Sequence, residues 1–234
     1  MINNAWLAMF ITLILCVLWM RLINLLADKQ LISSSLSRKI IHIGTGPLFV
    51  ICWLLFPEKS ISRYLAAFVP MLIVIQVLLV GLGKMKDHTS VQSMARTGAR
   101  TELLKGPLFY GIVFVLITLF FWKSIYAIIA LMILCGGDGV ADLIGSRVRS
   151  KKILWTQKKT VMGSLAMFIG GFLLSILLIA IINSAFIDIP PVSKYIVPLL
   201  IISLVATFVE SITPSDYDNL TIPASALILS LILL

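Results

Sequence analysis

Long apolar stretches recur along the whole of this sequence, and they constrain its fold more than any other feature. They cover about residues 5–27, 40–56, 62–83, 107–122, 124–141, 161–187, 193–212 and 220–234. A helix needs roughly 20 mostly apolar residues to cross about 30 Å of hydrocarbon. Only Lys123 separates the fourth stretch from the fifth, and the last stretch is short, so the pattern predicts seven or eight transmembrane helices.

The composition also indicates a membrane protein. Hydrophobic residues make up 60% of the 234 residues and charged residues only 12%, whereas globular proteins carry about 25% charged residues. The apolar stretches are continuous and lack the period of two that a transmembrane β-barrel requires. We therefore expect an all-α, polytopic helical bundle formed by a single domain over residues 1–234. The first stretch reads as a true span rather than a signal peptide, and no transit peptide is visible. These features favour a prokaryotic cytoplasmic membrane.

The basic residues are unevenly distributed among the connectors. Those after the first, third and fifth stretches contain 14 of the 19 lysines and arginines. Because positive residues favour the cytoplasmic side of a membrane, these connectors are predicted to be cytoplasmic and the N-terminus to be outside. This distribution accounts for the formal net charge of +9 without a nucleic-acid partner.

The connector after the seventh stretch lies on the same predicted side, but it is acidic. It contains Asp216 and Asp218 without a basic residue, and Glu210 lies shortly before it. Acidic residues at membrane depth are rare and usually functional. We expect this segment to pair with a cation, either a metal ion or neighbouring lysines. Asn219 has the alternative role of capping the following helix.

Residues 136–145 carry two carboxylates at the predicted cytoplasmic end of the fifth stretch. If the segment is helical, Asp138 and Asp142 are four residues apart and share one face. Gly137 and Gly139 would let backbone or phosphate oxygens approach closely. Paired carboxylates suit Mg²⁺, which commonly binds one or two carboxylates together with substrate phosphates. The simpler alternative is an acidic helix end in contact with solvent.

A basic segment with hydroxyl groups lies at residues 158–164, where the sixth stretch begins. Cations and hydroxyls at a helix N-terminus form a phosphate site, because free backbone N–H groups and the helix dipole attract anions. The candidate phosphate-binding residues are Lys158, Lys159, Thr160, Gly163 and Ser164. Ordinary positive flanking of a membrane helix is the alternative.

Two smaller polar groups lie at the predicted cytoplasmic ends of other spans. Arg38, Lys39 and His42 fall on one helical face, where they could bind phosphate or transfer a proton. Taken alone, this group is more typical of interfacial anchoring. In the second group, four-residue spacing aligns Glu102 with Gly106 and Tyr110.

Together these motifs resemble the phytol, farnesol and dolichol kinase family of integral membrane enzymes. The matching elements are Arg38-Lys39-x-x-His42, Glu102-x-x-x-Gly106-Pro107, Gly137-Asp138-Gly139-x-Ala141-Asp142-x-x-Gly145, Lys159-Thr160-x-x-Gly163-Ser164, and Glu210-Ser211 followed by Asp218-Asn219-Leu220-Thr221-x-Pro223. They occur in the family's order, and the phytol kinase branch looks most similar. A more distant likeness, to phosphatidate cytidylyltransferases, covers Asp138, Lys159, Thr160 and Gly163.

The resemblance implies transfer of the γ-phosphoryl group of a nucleotide, usually CTP, to an isoprenoid or other lipid alcohol with Mg²⁺. The alcohol would be of the phytol, farnesol, geranylgeraniol or dolichol type, with its tail among membrane lipids. The alternative is CDP-lipid synthesis, as in the cytidylyltransferases. The expected metal ligands are Asp138, Asp142 and Asp218. The expected nucleotide and phosphate contacts are Arg38, Lys39, Gly137, Gly139, Lys158, Lys159, Thr160, Gly163, Ser164 and Asn219. The expected proton acceptors are Glu102 and Glu210, with His42 behind them.

Overall fold

The protein is helical in the part of the chain that the structure describes. This computed structural model describes residues 2–156, 159–185 and 190–234, and these ranges contain no β-strand. Their α-helices are α1 Ala5–Asp28, α2 Ser34–Cys52, α3 Ser62–Gly81, α4 His88–Met94, α5 Gly106–Phe120, α6 Ile125–Met132, α7 Gly139–Gly145, α8 Val161–Ala185, α9 Ile196–Ile212 and α10 Asp218–Leu233. The all-α prediction is confirmed.

Seven helical segments of the described chain are long and apolar enough to cross a membrane. They are Ala5–Asp28, Ser34–Leu55, Ser62–Gly81, Arg100–Phe120, Ile125–Gly145, Val161–Ala185 and Val192–Ile212. Helix α10 is apolar but has only 16 residues. The protein is therefore a multi-pass membrane protein, whereas its orientation stays a prediction.

Contacts divide the chain into two compact units, Met1–Trp122 and Lys123–Leu234, a division that the sequence alone did not suggest. In the first unit, α3 packs against α5, and α1 packs against α2 and α3. Its core includes an aromatic cluster, in which the ring centroid of Trp53 lies 5.9 Å from that of Phe49 and 5.2 Å from that of Trp122.

The second unit is built around the helical segment Ile125–Gly145. This segment consists of α6, a π-helical turn at Ile133–Asp138, and α7. It is 72% buried along its most apolar window, against 44% or less in each of the other six spans. Helix α8 packs along it, α10 packs on α6, and α9 packs on α8 and α10. The acidic motif therefore sits at the end of the most enclosed helix of this unit.

Candidate active site

The two aspartates of the acidic motif lie where the central segment of the second unit changes its helical form. The π-helical turn ends at Asp138, and α7 begins at Gly139. Asp138 and Asp142 are both half-buried, and they are one helical turn apart on one face, as predicted. The π-helical turn itself was not predicted, and such turns are frequent at functional sites. Asp138 is near enough to Glu210 of α9 for the two carboxylates to repel each other.

The glycines of the acidic motif serve helix packing. A Cβ atom on Gly136 would lie 2.6 Å from the carbonyl oxygen of Gly170, and one on Gly137 would lie 2.7 Å from Sδ of Met167. Small residues allow helices to approach closely in membranes. Helix α8 therefore occupies the space beside Gly137, and the approach of a phosphate to this residue stays a prediction. Gly139 is buried at the start of α7.

Lys159 joins two carboxylates that come from different helices. Its ammonium group forms an ion pair with Glu210, near the end of α9, and lies 3.7 Å from Oδ2 of Asp218, at the start of α10. The side chain of Lys159 is 17% exposed, and those of Glu210 and Asp218 are 5% and 4% exposed. The acidic segment after the seventh stretch thus pairs with a neighbouring lysine, one of the two kinds of cation expected from the sequence. Lys158 lies outside the described residues.

The N-terminus of α8 differs from the phosphate site that the sequence predicts. Oγ1 of Thr160 accepts a hydrogen bond from the N–H of Gly163 at 3.1 Å and so caps the helix. The N–H of Met162 donates to Oγ of Ser150 at 3.1 Å. The first N–H of the helix donates to a carbonyl oxygen of the preceding connector at 2.9 Å. These backbone donors are engaged within the protein, so the prediction that free N–H groups bind phosphate here is wrong. Among the described residues of this segment, the ammonium group of Lys159 and the hydroxyl of Ser164 remain candidate contacts.

The three predicted metal ligands do not form one preformed cluster. Within residues 2–156, 159–185 and 190–234, no three His, Cys, Asp or Glu side chains are grouped as a metal site requires. Asp218 instead lies beside Lys159. Mg²⁺ needs only one or two carboxylates when substrate phosphates complete its coordination. The pair of Asp138 and Asp142 therefore fits this ion, and the set of three does not.

Three further predicted residues lie near the starts of α8 and α10. Asn219 is buried, and its N–H donates to Oδ1 of Asp218 at 2.9 Å. Ser164 is half-buried, and its Oγ has no hydrogen-bond partner among the described residues. Gly163 allows α8 to approach α7, because a Cβ atom there would lie 3.4 Å from the carbonyl oxygen of Ala141. Gly163 is thus a packing residue, whereas Ser164 presents a buried hydroxyl.

The connector between α7 and α8 contributes a residue that the sequence reasoning missed. Nε1 of Trp155 donates to Oγ of Ser211 at 3.1 Å, and the ring centroids of Trp155 and Phe208 are 6.1 Å apart. Both partners lie on α9 beside Glu210. A lone tryptophan in a basic connector was the available signal, because an indole N–H usually finds an acceptor. Trp155 thus fastens to α9 the same connector that ends at Lys159.

In the first unit, Arg38 and Glu102 stabilise one loop. Nη1 of Arg38 donates to the carbonyl oxygen of Ala95 at 2.7 Å. Glu102 accepts hydrogen bonds from the N–H of Arg96 at 2.5 Å and from the N–H and Oγ1 of Thr97 at 3.0 and 2.8 Å. Two motifs that are far apart in the sequence therefore meet at this loop, mainly through its backbone groups.

His42 and Lys39 lie on α2, one turn or less from the arginine that binds this loop. The ring centroids of His42 and Tyr110 are 4.6 Å apart, and the Tyr110 hydroxyl donates to the carbonyl oxygen of His42 at 3.1 Å. Lys39 is buried. The predicted helical alignment of Glu102 with the start of α5 is wrong, because Arg100–Leu104 is a 3₁₀ helix that ends before α5 begins. The contact of Tyr110 with His42 does not depend on that alignment.

Asp87, in the connector between α3 and α4, was not a predicted site residue. Its carboxylate accepts hydrogen bonds from the N–H and Oγ of Ser90 at 3.0 and 2.6 Å and from Nε2 of Gln76 at 2.7 Å. Burial favours the neutral acid, but these hydrogen bonds outweigh it and hold the pKa of Asp87 below its ordinary value. Asp87 thus caps α4 as a carboxylate.

Plant proteins named phytol kinase or probable phytol kinase are similar to this chain. A probable chloroplastic phytol kinase of Triticum aestivum is 38% identical over 216 residues, which cover 91% of this chain and 72% of the relative. Phytol kinase 1, chloroplastic, of Arabidopsis thaliana is 37% identical over 206 residues, which cover 87% and 68%. The chain belongs to the phytol kinase family. No protein-family model matches this member of the family, and no solved structure does.

Membership in the phytol kinase family makes the chain a kinase with an alcohol group as the phosphoryl acceptor. The resemblance drawn from the motifs, including the phytol kinase branch, is confirmed. The relatives are plant proteins named chloroplastic, so they give no support to the predicted prokaryotic membrane.

Proposed function

We propose that the chain phosphorylates phytol or a closely related isoprenoid alcohol with CTP, releasing CDP and the alcohol monophosphate. The observation that carries this proposal is the ammonium group of Lys159, which is held between the buried carboxylates of Glu210 and Asp218 in the unit that also contains Asp138 and Asp142. Phosphoryl transfer depends mainly on positioning and on neutralising phosphate charge. An ammonium group and paired carboxylates for a divalent cation supply both requirements. The names of the relatives support phytol as the acceptor.

Asp138 and Asp142 are the proposed ligands of Mg²⁺. They share one face of the central helical segment, and Asp138 is near Glu210 of the lysine cluster, which we define as Lys159, Glu210 and Asp218. When bound, Mg²⁺ would neutralise charge on the phosphate oxygens of the nucleotide. Asp218 has a different proposed task, to hold Lys159 until the nucleotide binds, because its carboxylate already lies 3.7 Å from the ammonium group.

Lys159 is the proposed contact for the transferred phosphate. An ammonium group has three N–H donors, so one can stay on Glu210 while another binds a phosphate oxygen. The contact of 3.7 Å with Asp218 is the looser of the two ion pairs. It is therefore the contact that a phosphate oxygen would replace. This exchange keeps the lysine charge in place without moving a helix.

The chemical step forms one bond to the γ-phosphorus and breaks another. The alcohol oxygen bonds to the γ-phosphorus, the bond from that phosphorus to the β–γ bridging oxygen breaks, and its electron pair leaves with CDP. The hydroxyl proton passes to a carboxylate. Glu210 is the proposed acceptor because it lies in the lysine cluster, whereas Glu102 already accepts three hydrogen bonds from its own loop. His42 stays the alternative acceptor predicted from the sequence.

The site is proposed to lie at the cytoplasmic face of the membrane, with the alcohol tail in the bilayer. The support is the concentration of basic residues in the connectors after the first, third and fifth stretches. A tail in the bilayer would bring the hydroxyl to the helix ends from the lipid side.

The deciding experiment supplies membranes that contain the protein with labelled CTP and with phytol, farnesol or phosphatidate. CDP and phytyl phosphate are expected, and a chelator of divalent cations should stop the reaction. Asp138→Asn should lower turnover by at least about a hundredfold, as expected when stabilisation of transition-state charge is lost. Asp28→Asn makes the same chemical change at an exposed helix end and should leave turnover intact.

Two results would overturn the proposal. Release of pyrophosphate with a CDP-lipid would indicate cytidylyl transfer instead. Normal turnover by Asp138→Asn, in protein that inserts normally, would show that Asp138 is not a metal ligand.

A further inference from the structure

In the described part of the connector between α7 and α8, the backbone of residues 151–153 pairs with that of residues 159–161. Lys152 pairs with Thr160 in an antiparallel bridge. The N–H of Ile153 donates to the carbonyl oxygen of Lys159 at 3.1 Å, and the N–H of Thr156 donates to that of Ile153 at 3.1 Å. We call residues 147–156 the basic hairpin. Hydrogen bonds hold its backbone at Lys151, Ile153 and Thr156.

The basic hairpin carries cations and apolar side chains on its exposed surface. It contains four basic residues and no acidic residue, and the four, which are Arg147, Arg149, Lys151 and Lys152, are all exposed. Leu154 is 99% exposed, and Trp155 is 58% exposed. A leucine with almost no protein contact exposes its apolar side chain to water, which is unfavourable unless lipid covers it. The combination is typical of segments that bind the interface of a charged membrane.

The neighbours of the hairpin place it at the edge of the hydrocarbon. The connector that contains it joins two membrane spans, Ile125–Gly145 and Val161–Ala185. Trp155 also lies against Phe208, which is 54% exposed on the membrane-spanning helix α9. An exposed phenylalanine on such a helix faces lipid, and tryptophan is enriched where hydrocarbon meets headgroups. Leu154, which is next to Trp155 at the tip of the described part of the hairpin, is therefore placed to enter the acyl region.

We propose that the basic hairpin binds anionic phospholipid headgroups, with Leu154 inserted among the acyl chains and the four cations on the lipid phosphates. Charge complementarity selects the occupant, because clustered lysines and arginines next to a membrane span attract anionic lipid. The indole of Trp155, held on Ser211, fixes the height of the tip. This binding surface does not depend on the kinase reaction.

The test places a fluorophore at the tip of the hairpin. Leu154→Cys is labelled with a polarity-sensitive dye, since the native cysteines Cys16, Cys52 and Cys135 are all buried. The protein is reconstituted in nanodiscs of phosphatidylcholine alone or mixed with phosphatidylglycerol. We expect a blue shift of the emission with phosphatidylglycerol, and loss of that shift at high salt because salt screens the attraction. Leu31→Cys is the matched control, an exposed leucine in the α1–α2 connector, and should show no such dependence.

Charge removal completes the test in the labelled protein. Lys151→Gln with Lys152→Gln should reduce the affinity of the hairpin for phosphatidylglycerol, read from the emission as the lipid fraction is raised, by about fivefold for each charge removed. Arg147→Gln with Arg149→Gln is an independent pair with the same expected effect. An emission that is equal in both nanodiscs would overturn the proposal. So would a response that survives both pairs of substitutions, because the tip would then insert through its apolar side chains alone. CTP turnover is not the readout, so failure here leaves the proposed kinase function standing.

Discussion

The two units of the chain use their charged side chains differently. In the first unit, Arg38 and Glu102 hydrogen-bond mainly to the backbone of one loop. In the second unit, Lys159 contacts the carboxylates of Glu210 and Asp218. A side chain bound to backbone cannot leave its partner without disturbing the loop, whereas an ion pair can exchange one partner for a ligand. The comparison suggests that charge in the first unit shapes structure and charge in the second is available for chemistry.

The largest expected effect is that of Lys159→Met. Removing the ammonium group leaves the buried carboxylates of Glu210 and Asp218 without their cation. Breaking a buried ion pair costs about 3–5 kcal/mol of stability. We expect loss of CTP turnover together with a lower thermal unfolding midpoint in detergent. Lys84→Met, at an exposed position, should change neither quantity.

A second substitution separates stability from chemistry at that lysine. Lys159→Met with Glu210→Gln removes both charges of the ion pair and should regain part of the lost stability without regaining turnover. Recovery of turnover by the double variant would show that the ion pair serves structure, and the contrast between the units would fail.

A smaller effect is expected for Glu102→Gln in the first unit. The amide keeps the shape of the side chain but weakens hydrogen bonds that the carboxylate accepts, at a cost of about 1–3 kcal/mol. The unfolding midpoint should fall while kcat stays within a few fold, whereas Glu210→Gln should reduce kcat strongly. Both are measured by thermal unfolding and steady-state turnover. Loss of turnover by Glu102→Gln at unchanged stability would identify Glu102 as the proton acceptor.

Trp155→Phe should have a modest effect that sharpens the description of the second unit. The ring can still pack on Phe208, but the hydrogen bond to Ser211 is lost, which is worth about 1 kcal/mol. We expect KM for CTP to rise by about fivefold, the equivalent of that energy, with a smaller change in kcat. Ser211→Ala removes the same bond from the other side. The double variant should therefore be no worse than either single variant, and additive effects would contradict the role of this bond.

The smallest effect concerns the pH dependence of stability at Asp87. Because the pKa of its carboxyl is below the ordinary value when folded, its hydrogen bonds contribute stability that is fully present above the unfolded pKa of about 3.9. That contribution is lost as the pH falls through the lower folded pKa. Asp87→Asn should lower the unfolding midpoint at neutral pH and flatten its fall in acid. An unchanged acid profile would show that the hydrogen bonds to Ser90 and Gln76 add little.

The helical fold could be predicted from the sequence because the bilayer restricts the choices. Backbone groups in hydrocarbon must be satisfied within the chain, so long apolar stretches become helices. The shared face of Asp138 and Asp142 followed from their spacing alone. The division into two units was not visible, because no change in composition marks the junction near Trp122.

The contacts between motifs could not be predicted in the same way. Lys159 and Glu210 are 51 residues apart, and no local rule pairs them. The engaged N–H groups at the start of α8 depend on how the preceding connector returns to the helix, as the bond from Met162 to Ser150 shows. Glu102 accepts hydrogen bonds from Arg96 and Thr97 because the chain forms a 3₁₀ turn before α5. Each of these outcomes depends on tertiary structure.

The π-helical turn at Ile133–Asp138 has a consequence for the register of the central segment. Each residue of an α-helix turns the chain by about 100°, so one additional residue in a turn rotates everything that follows relative to what precedes it. The apolar half, α6, and the acidic half, α7, are thus set at an angular offset that a regular α-helix would not have. Deleting Ile133, Leu134 or Cys135 would keep every side chain of the motif and yet point Asp138 and Asp142 in a different direction. The number of residues in this turn therefore matters as much as their identity. An insertion or deletion there should reduce activity far more than a substitution.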